Sequence, residues 1–315
     1  MQAHVQLPLT AAQPLPQSVK EALSPWEPSQ PQYWSALWRS TQEASRASGR
    51  GIECWQNWDD IEDARQYWQR VSASEQKNER AHELLAEVQP HWRVLDIGAG
   101  PGNLVLPLAG KVAHVTAVEP AYGMSQVLRE NIAQAGLNNV SVIQKRWDDV
   151  DVAKDLQGPY ELVVISFAFG MLDLLDTLQK ILAVAKERVI FYWHAGPQAW
   201  DVDAVKLWPL LHGKTFTPIP KAEVIFNLLY TLGIYADVKS IPRSFTTSFE
   251  SMDEAMQEYR KRYAVAEDDI EKNRLLLQYL QQSLRPEDGG YAQKAYNTGM
   301  CIAWAVPPVN PLPLG

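Results

Sequence analysis

Val94-Leu95-Asp96-Ile97-Gly98-Ala99-Gly100-Pro101-Gly102-Asn103 carries an apolar strand straight into a glycine-rich turn. The run Arg93–Ile97 has the short apolar character of a buried strand, and Asn103–Leu108 reads as the start of a helix. Glycines let the backbone turn tightly and let a ligand approach the main chain. The helix that follows has unpaired N–H groups at its start. In an α/β sheet such a turn lies at the carboxyl ends of the strands, where ligands bind. The spacing is G-x-G-x-G. A dinucleotide fingerprint reads G-x-G-x-x-G and rests a pyrophosphate on the helix. Asp96, two residues before Gly98, would repel a pyrophosphate and attract an α-ammonium or sulfonium group. The turn therefore suits a cationic amino-acid nucleoside and argues against an NAD(P) oxidoreductase.

Strands and helices alternate outward from this turn. Ala113–Val118, Val140–Gln144, Tyr160–Ser166 and Arg188–Trp193 read as further strands; Gly123–Ala135 and Leu174–Ala185 read as the helices between them. That alternation predicts a doubly wound parallel sheet covered by helices on both faces. Glu119 ends the second strand about 20 residues beyond Gly98, where an acid can accept from both ribose hydroxyls. Pro120 follows it. After the third strand come Trp147 and Asp148, a ring to lie against a base and a carboxylate to accept from its amino group, with Asp149 competing for the second role.

These residues resemble the class I S-adenosylmethionine-dependent methyltransferases. Val94–Asn103 is similar to the family's first motif, Glu119 to its ribose-binding acid, and Asp148, less specifically, to its adenine-contacting acid. Ser166 and Phe167, in Val163–Asp173, align with the fourth-strand segment that faces the methyl group. The resemblance covers roughly residues 75–245 and the last strand. It implies S-adenosylmethionine as cofactor, S-adenosylhomocysteine as product, and cofactor contacts at Asp96, Gly98, Gly100, Gly102, Asn103, Glu119, Pro120, Trp147, Asp148, Ser166 and Phe167. It also implies a seven-stranded sheet in the order 3-2-1-4-5-7-6, the last strand, Asn297–Val306, running antiparallel. The Asn/Asp-Pro-Pro-Tyr/Phe motif of amino-methylating DNA enzymes is replaced by Phe167-Ala168-Phe169, and no Pro-Cys pair signals a cytosine C5 enzyme.

The remaining segments divide the chain into four: a Pro-rich arm and aromatic helical cap at 1–74, the Rossmann-like core at 75–245, a helical insertion or lid at 246–296, and the last strand with a tail at 297–315. Residues 1–30 read as an extended arm that could drape over a neighbouring subunit, so an oligomer is allowed. Ala195–Pro220, with four prolines, reads as loop and short helix; Lys221–Leu232 is helical and Ile234–Ile241 a sixth strand. In the insertion, Met252–Tyr263 and Ile270–Leu284 have helical periodicity. Seven of the twelve tryptophans precede Arg93, so the cap either packs on the core or lines the acceptor site. Trp34 and Trp38, with Phe169 and Trp193, are the candidates for that pocket. His194 directly follows the fifth strand and could act as a general base, with Tyr192 a second candidate. Asp173 reads better as a helix N-cap than as a base. Arg260, Lys261 and Arg262 read as a solvated helix face, with one of them a possible grip on an acidic substrate group.

Net charge is −8, which argues against duplex nucleic acid. No apolar run approaches a membrane span and no secretory signal is evident, so the expected location is the cytoplasm, where two cysteines fit. Sparse His and Cys give no metal site. The expected reaction is in-line transfer of a methyl group to a small-molecule acceptor. The alternatives are an RNA or protein methyltransferase and a non-catalytic module that binds the nucleoside.

Overall fold

A computed structural model describes residues 14–49, 54–72, 75–287 and 289–307. Among the described residues, eight strands form one sheet: β1 (Arg93–Ile97), β2 (His114–Val118), β3 (Val140–Ile143), β4 (Tyr160–Ser166), β5 (Ala185–His194), β6 (Asp237–Phe249), β7 (Arg285–Glu287) and β8 (Gly290–Ala305). Their order is β3-β2-β1-β4-β5-β8-β6, with β7 pairing β8. β1 to β5 are parallel, and β8 runs antiparallel to β5 and β6. The expected order thus holds, with β8 in the place of the seventh strand. The count of seven is corrected to eight by the three-residue β7.

Strand alternation sorts the core into two layers. Val163, Ile165, Val189, Phe191, Trp193 and Trp304 meet the helices Pro31–Ser48, Leu174–Val184 and Ala222–Thr231 on one face. Val94, Leu162, Val164, Ile190 and Tyr192 meet the helix Glu75–Glu87 and the short helix Val105–Ala109 on the other. A third cluster joins the insertion helices Met252–Tyr263 and Ile270–Ser283 to the helix Ala199–His212 through Trp208, Tyr259, Tyr263, Leu276 and Leu280.

Three elements differ from the sequence reading. Gln17–Leu23, inside the expected extended arm, is helical with Val19 and Leu23 buried; residues 1–13 lie outside the described residues. Ala199–His212 is a fourteen-residue helix where loop and short helix were expected. Its start is fixed by the Gln198 N–H, which donates to Asp201 Oδ2 at 2.9 Å, and by a buried Lys221–Asp201 ion pair at 2.6 Å. Pro209 falls in its last turns, where Gly213 ends it in a left-handed conformation.

β6, finally, runs on to Phe249, pairing with β8 from Asp237↔Ala303 to Phe249↔Tyr291. The boundaries expected at 245/246 and 296/297 therefore fall inside paired strands. β6 is an edge strand, which tolerates Pro242, and beyond Ile241 it leaves the core, so its Ser and Thr residues carry no apolar run. Past His194, where β5 ends, β8 and β6 continue as a ribbon that carries the insertion. Among the described residues, no helix is long and apolar enough to cross a membrane.

Candidate active site

At the carboxyl ends of β1, β2 and β4 lies a cavity of about 670 Å³. The turn after β1 is held in place by its own backbone: the Gly98 and Ala99 N–H groups both donate to the Val118 carbonyl, at 2.7 and 3.1 Å. Gly98 has φ +75°, and a Cβ there would lie 2.1 Å from the Ala168 Cβ, so only glycine lets β4's loop close against the turn. The Gly100 N–H donates to Glu119 Oε2 at 2.8 Å and the Ala121 N–H to Oε1 at 2.9 Å. Each oxygen of this carboxylate thus keeps lone pairs for a further donor.

Asp96 is almost wholly buried, and its Oδ2 has no hydrogen-bond partner. Burial, reinforced by Glu119 and opposed by Arg80, pushes its carboxyl up to about 7. Burial also raises Glu119 to about 7 against the pull of its two backbone donors. Two unneutralised carboxyls in one cavity are costly and call for a cation and for hydroxyl donors. Arg80, from the helix Glu75–Glu87, is 6% exposed and lines the same cavity with Nε and Nη1 unpaired. Burial and the nearby Arg243 lower its guanidinium to about 10. Asp148 lines the cavity in an ion pair with Arg146 at 2.8 Å, and Trp147, nearly buried, lines it beside Asp148.

Asn103, Pro120, Ser166 and Phe167 reach the cavity wall. Gly102 does not: a Cβ there would meet Leu128 Cδ1 at 2.8 Å, so this glycine serves packing of the turn on the helix Tyr122–Gln134. Phe167 holds φ +56°, a strained setting for a large side chain, with its N–H donating to the Tyr192 carbonyl at 2.9 Å. Two guanidiniums lie over its ring, Arg80 at 5.0 Å and Arg243 at 4.7 Å, with the His194 imidazole at 4.8 Å.

Three of the remaining candidates change place. Tyr192 is buried in the layer of Val164 and Ile190, with the Arg80 guanidinium over its ring at 5.9 Å, and does not line this cavity. Trp38 is fully buried, donating to the Met171 carbonyl at 2.7 Å, and Trp34 donates to the Pro28 carbonyl at 2.8 Å; both are packing residues. Neither lines the acceptor pocket expected for it; from the same N-terminal region it is Trp55, Trp58 and Tyr67 that line this cavity, packing on the helix Tyr122–Gln134. His194 lines the cavity, but burial, followed by Lys221 and Arg243, holds it down to about 3, so the imidazole is neutral. Asp173 caps the helix Leu174–Val184, accepting from the Asp176 N–H at 2.9 Å.

Sequence reasoning missed Arg80, although it sits on the buried stripe of its helix one turn before Leu84, an anomalous position for a cation. It also missed Trp200 and Arg243, which lie in segments read as loop or beyond the sixth strand.

The family described as a methyltransferase domain matches residues 94–188. A protein-L-isoaspartate O-methyltransferase of Ectopseudomonas mendocina is 30% identical over 151 residues, covering 42% of this chain and 67% of the relative. This chain belongs to the class I S-adenosylmethionine-dependent methyltransferases. An uncharacterised protein of Haemophilus influenzae is 35% identical over 158 residues, 49% of this chain; the match spans only about half of that relative, 55%. The YcgJ protein of Bacillus subtilis superposes with a TM-score of 0.51 at 15% identity, covering 72% of the methyltransferase and 98% of YcgJ, a likeness of fold. The family's cofactor is S-adenosylmethionine, and the donor set of this methyltransferase fits it. The unpaired Asp96 oxygen meets the need of a cationic head group, the Glu119 carboxylate that of a ribose diol, and the unpaired Arg80 donors that of a carboxylate.

Proposed function

We propose that the protein transfers the methyl group of S-adenosylmethionine to a small-molecule acceptor held in a second cavity. The observation that carries this reading is the junction of two cavities. Beyond Phe167 opens a space of about 980 Å³, walled by the insertion, the helix Ala199–His212 and the ribbon of β6 and β8. Trp58, Phe167, Gly170, His194, Trp200 and Arg243 line both. A volume of this size suits an organic molecule of modest size.

When bound, the cofactor supplies a methyl group already activated by its sulfonium. The chain has to hold an acceptor in line with that methyl and keep water away. Asp96 pairs with the ammonium, Glu119 accepts from the ribose hydroxyls, Asp148 and Trp147 contact the adenine, and Arg80 pairs with the methionine carboxylate. Phe167, His194 and Trp200 form the wall past which the acceptor approaches. A neutral imidazole held at about 3 is a weak base, so His194 accepts a hydrogen bond and orients the acceptor rather than carrying its proton. This favours an acceptor that is already a nucleophile at neutral pH.

The test pairs calorimetry with S-adenosylhomocysteine and transfer of a radiolabelled methyl to three pools: small organic metabolites, total RNA and protein. Micromolar binding with label in the small-molecule pool supports the reading. Label in RNA or protein transfers the acceptor to that class, and binding without any transfer makes the chain a nucleoside-binding module.

A further inference from the structure

The second cavity has a charge and a texture that narrow what can occupy it. Its wall is aromatic, including Phe169, Trp193, Trp200 and Trp208. It also carries Arg46, Arg243 and Arg262, although the chain as a whole has net charge −8. Among the described residues its wall has one carboxylate, Asp203, whose Oδ1 already accepts from the Tyr279 hydroxyl at 2.5 Å. Arg262 is paired with Glu258 at 3.1 Å, and Arg46 donates to the Gly170 carbonyl. Arg243 differs from both. Its guanidinium lies over the Phe167 ring at the junction of the two cavities and hydrogen-bonds to no described residue. Burial lowers its pKa, with Glu79 opposing from a distance. The neutral His194 beside it adds no compensating charge.

A partly desolvated guanidinium that hydrogen-bonds to no protein group gains most from an anion that completes its fork of donors. Guanidiniums on the wall also repel a cation, which removes an aromatic cage for a cationic acceptor as a use of these rings.

Resting on the methyl-transfer reading, we propose that the acceptor is an aromatic or apolar organic anion whose acidic group is gripped by Arg243 while its rings lie against the aromatic wall of the second cavity. The acidic group sets the register of the molecule, and the nucleophilic atom is then presented past Phe167 to the cofactor side.

Two dyes sharing one ring framework test this. 1-Anilinonaphthalene-8-sulfonate carries an anionic group and N-phenyl-1-naphthylamine lacks it. Both are titrated by fluorescence into the full chain saturated with S-adenosylhomocysteine. A charged hydrogen-bonded pair corresponds to a preference of roughly tenfold or more. The expected result is that the sulfonate binds at least about tenfold tighter, and that Arg243→Met removes the preference while the neutral dye keeps its affinity within about threefold. Arg243→Gln, with a melting curve and an S-adenosylhomocysteine titration, guards against a variant that merely misfolds. Equal binding of the two dyes, a preference that survives both substitutions, or no binding of either dye overturns the proposal. Failure of S-adenosylhomocysteine to bind a folded protein instead overturns the methyl-transfer reading, and the dye comparison can still be read without it.

Discussion

Asp96, the penultimate residue of β1, is buried with one carboxylate oxygen unpaired, a costly setting that a bound cation would relieve. Asp96→Asn keeps the shape and removes the charge. Its affinity for S-adenosylhomocysteine should fall by roughly ten- to a hundredfold, the size of a lost charged hydrogen bond; calorimetry showing unchanged affinity would remove Asp96 from the site. Arg80 is separable from it by ligand choice. Arg80→Met should weaken S-adenosylhomocysteine about tenfold or more and leave 5′-methylthioadenosine, which lacks the amino-acid tail, nearly unaffected. Equal weakening of both ligands would make Arg80 a prop for the cavity rather than a carboxylate partner.

At the level of elements, the N-terminal helix Pro31–Ser48 belongs to the core and holds the loop after β4. Trp38 donates to the Met171 carbonyl, and Gln42 Nε2 to the Phe169 carbonyl at 2.9 Å, both buried. Trp38→Ala should cost about 3–5 kcal/mol of stability. Trp55→Ala, on the cavity rim, should change the melting temperature little and weaken the cofactor. A chemical-denaturation series on the two variants checks the contrast, which reverses if Trp38 is the ligand contact. Much of this architecture was legible in the sequence. β1, β2 and β4 are buried on both faces, as is the second half of β5, so each reads as an apolar run, and Asp96, Glu119 and the glycine turn declare themselves by spacing. The order of the strands came from family resemblance, because local pattern does not record who pairs with whom. The phase of a doubly buried strand is equally silent: Phe191, Tyr192 and Trp193 are all apolar enough for either face, so Tyr192 could not be assigned. Nor does a tryptophan reveal whether it will be buried like Trp38 or line a cavity like Trp58. The extension of β6 was hidden because strand pairing, not apolar content, holds it.

For the whole molecule, pH couples cofactor binding to stability. In the free folded protein Asp96 and Glu119 titrate together near 7, raised by burial and, for Asp96, by its neighbour's charge; unfolded, they release their protons near the ordinary carboxylate values of 3.8 and 4.5. Between those limits the folded state binds more protons than the unfolded one. The stability these groups contribute is therefore complete below about 4 and is lost as pH rises through about 7. Paired surface carboxylates such as Asp155, held low first by Lys145, and Glu271, held low by Arg274, act with the opposite sign and in a lower window, losing their contribution as pH falls. A ligand with a cationic head group favours the ionised site, so its affinity rises with pH until both carboxyls are charged. The gain in melting temperature on adding a fixed concentration of S-adenosylmethionine should accordingly grow from roughly pH 6 to pH 8. Asp96→Asn should flatten that growth, since one of the two coupled protons no longer needs to leave. A ligand-induced shift that is already pH-independent in the unsubstituted protein would mean that the carboxyls are ionised before the cofactor arrives, and that some other cation of the chain neutralises them in the free state.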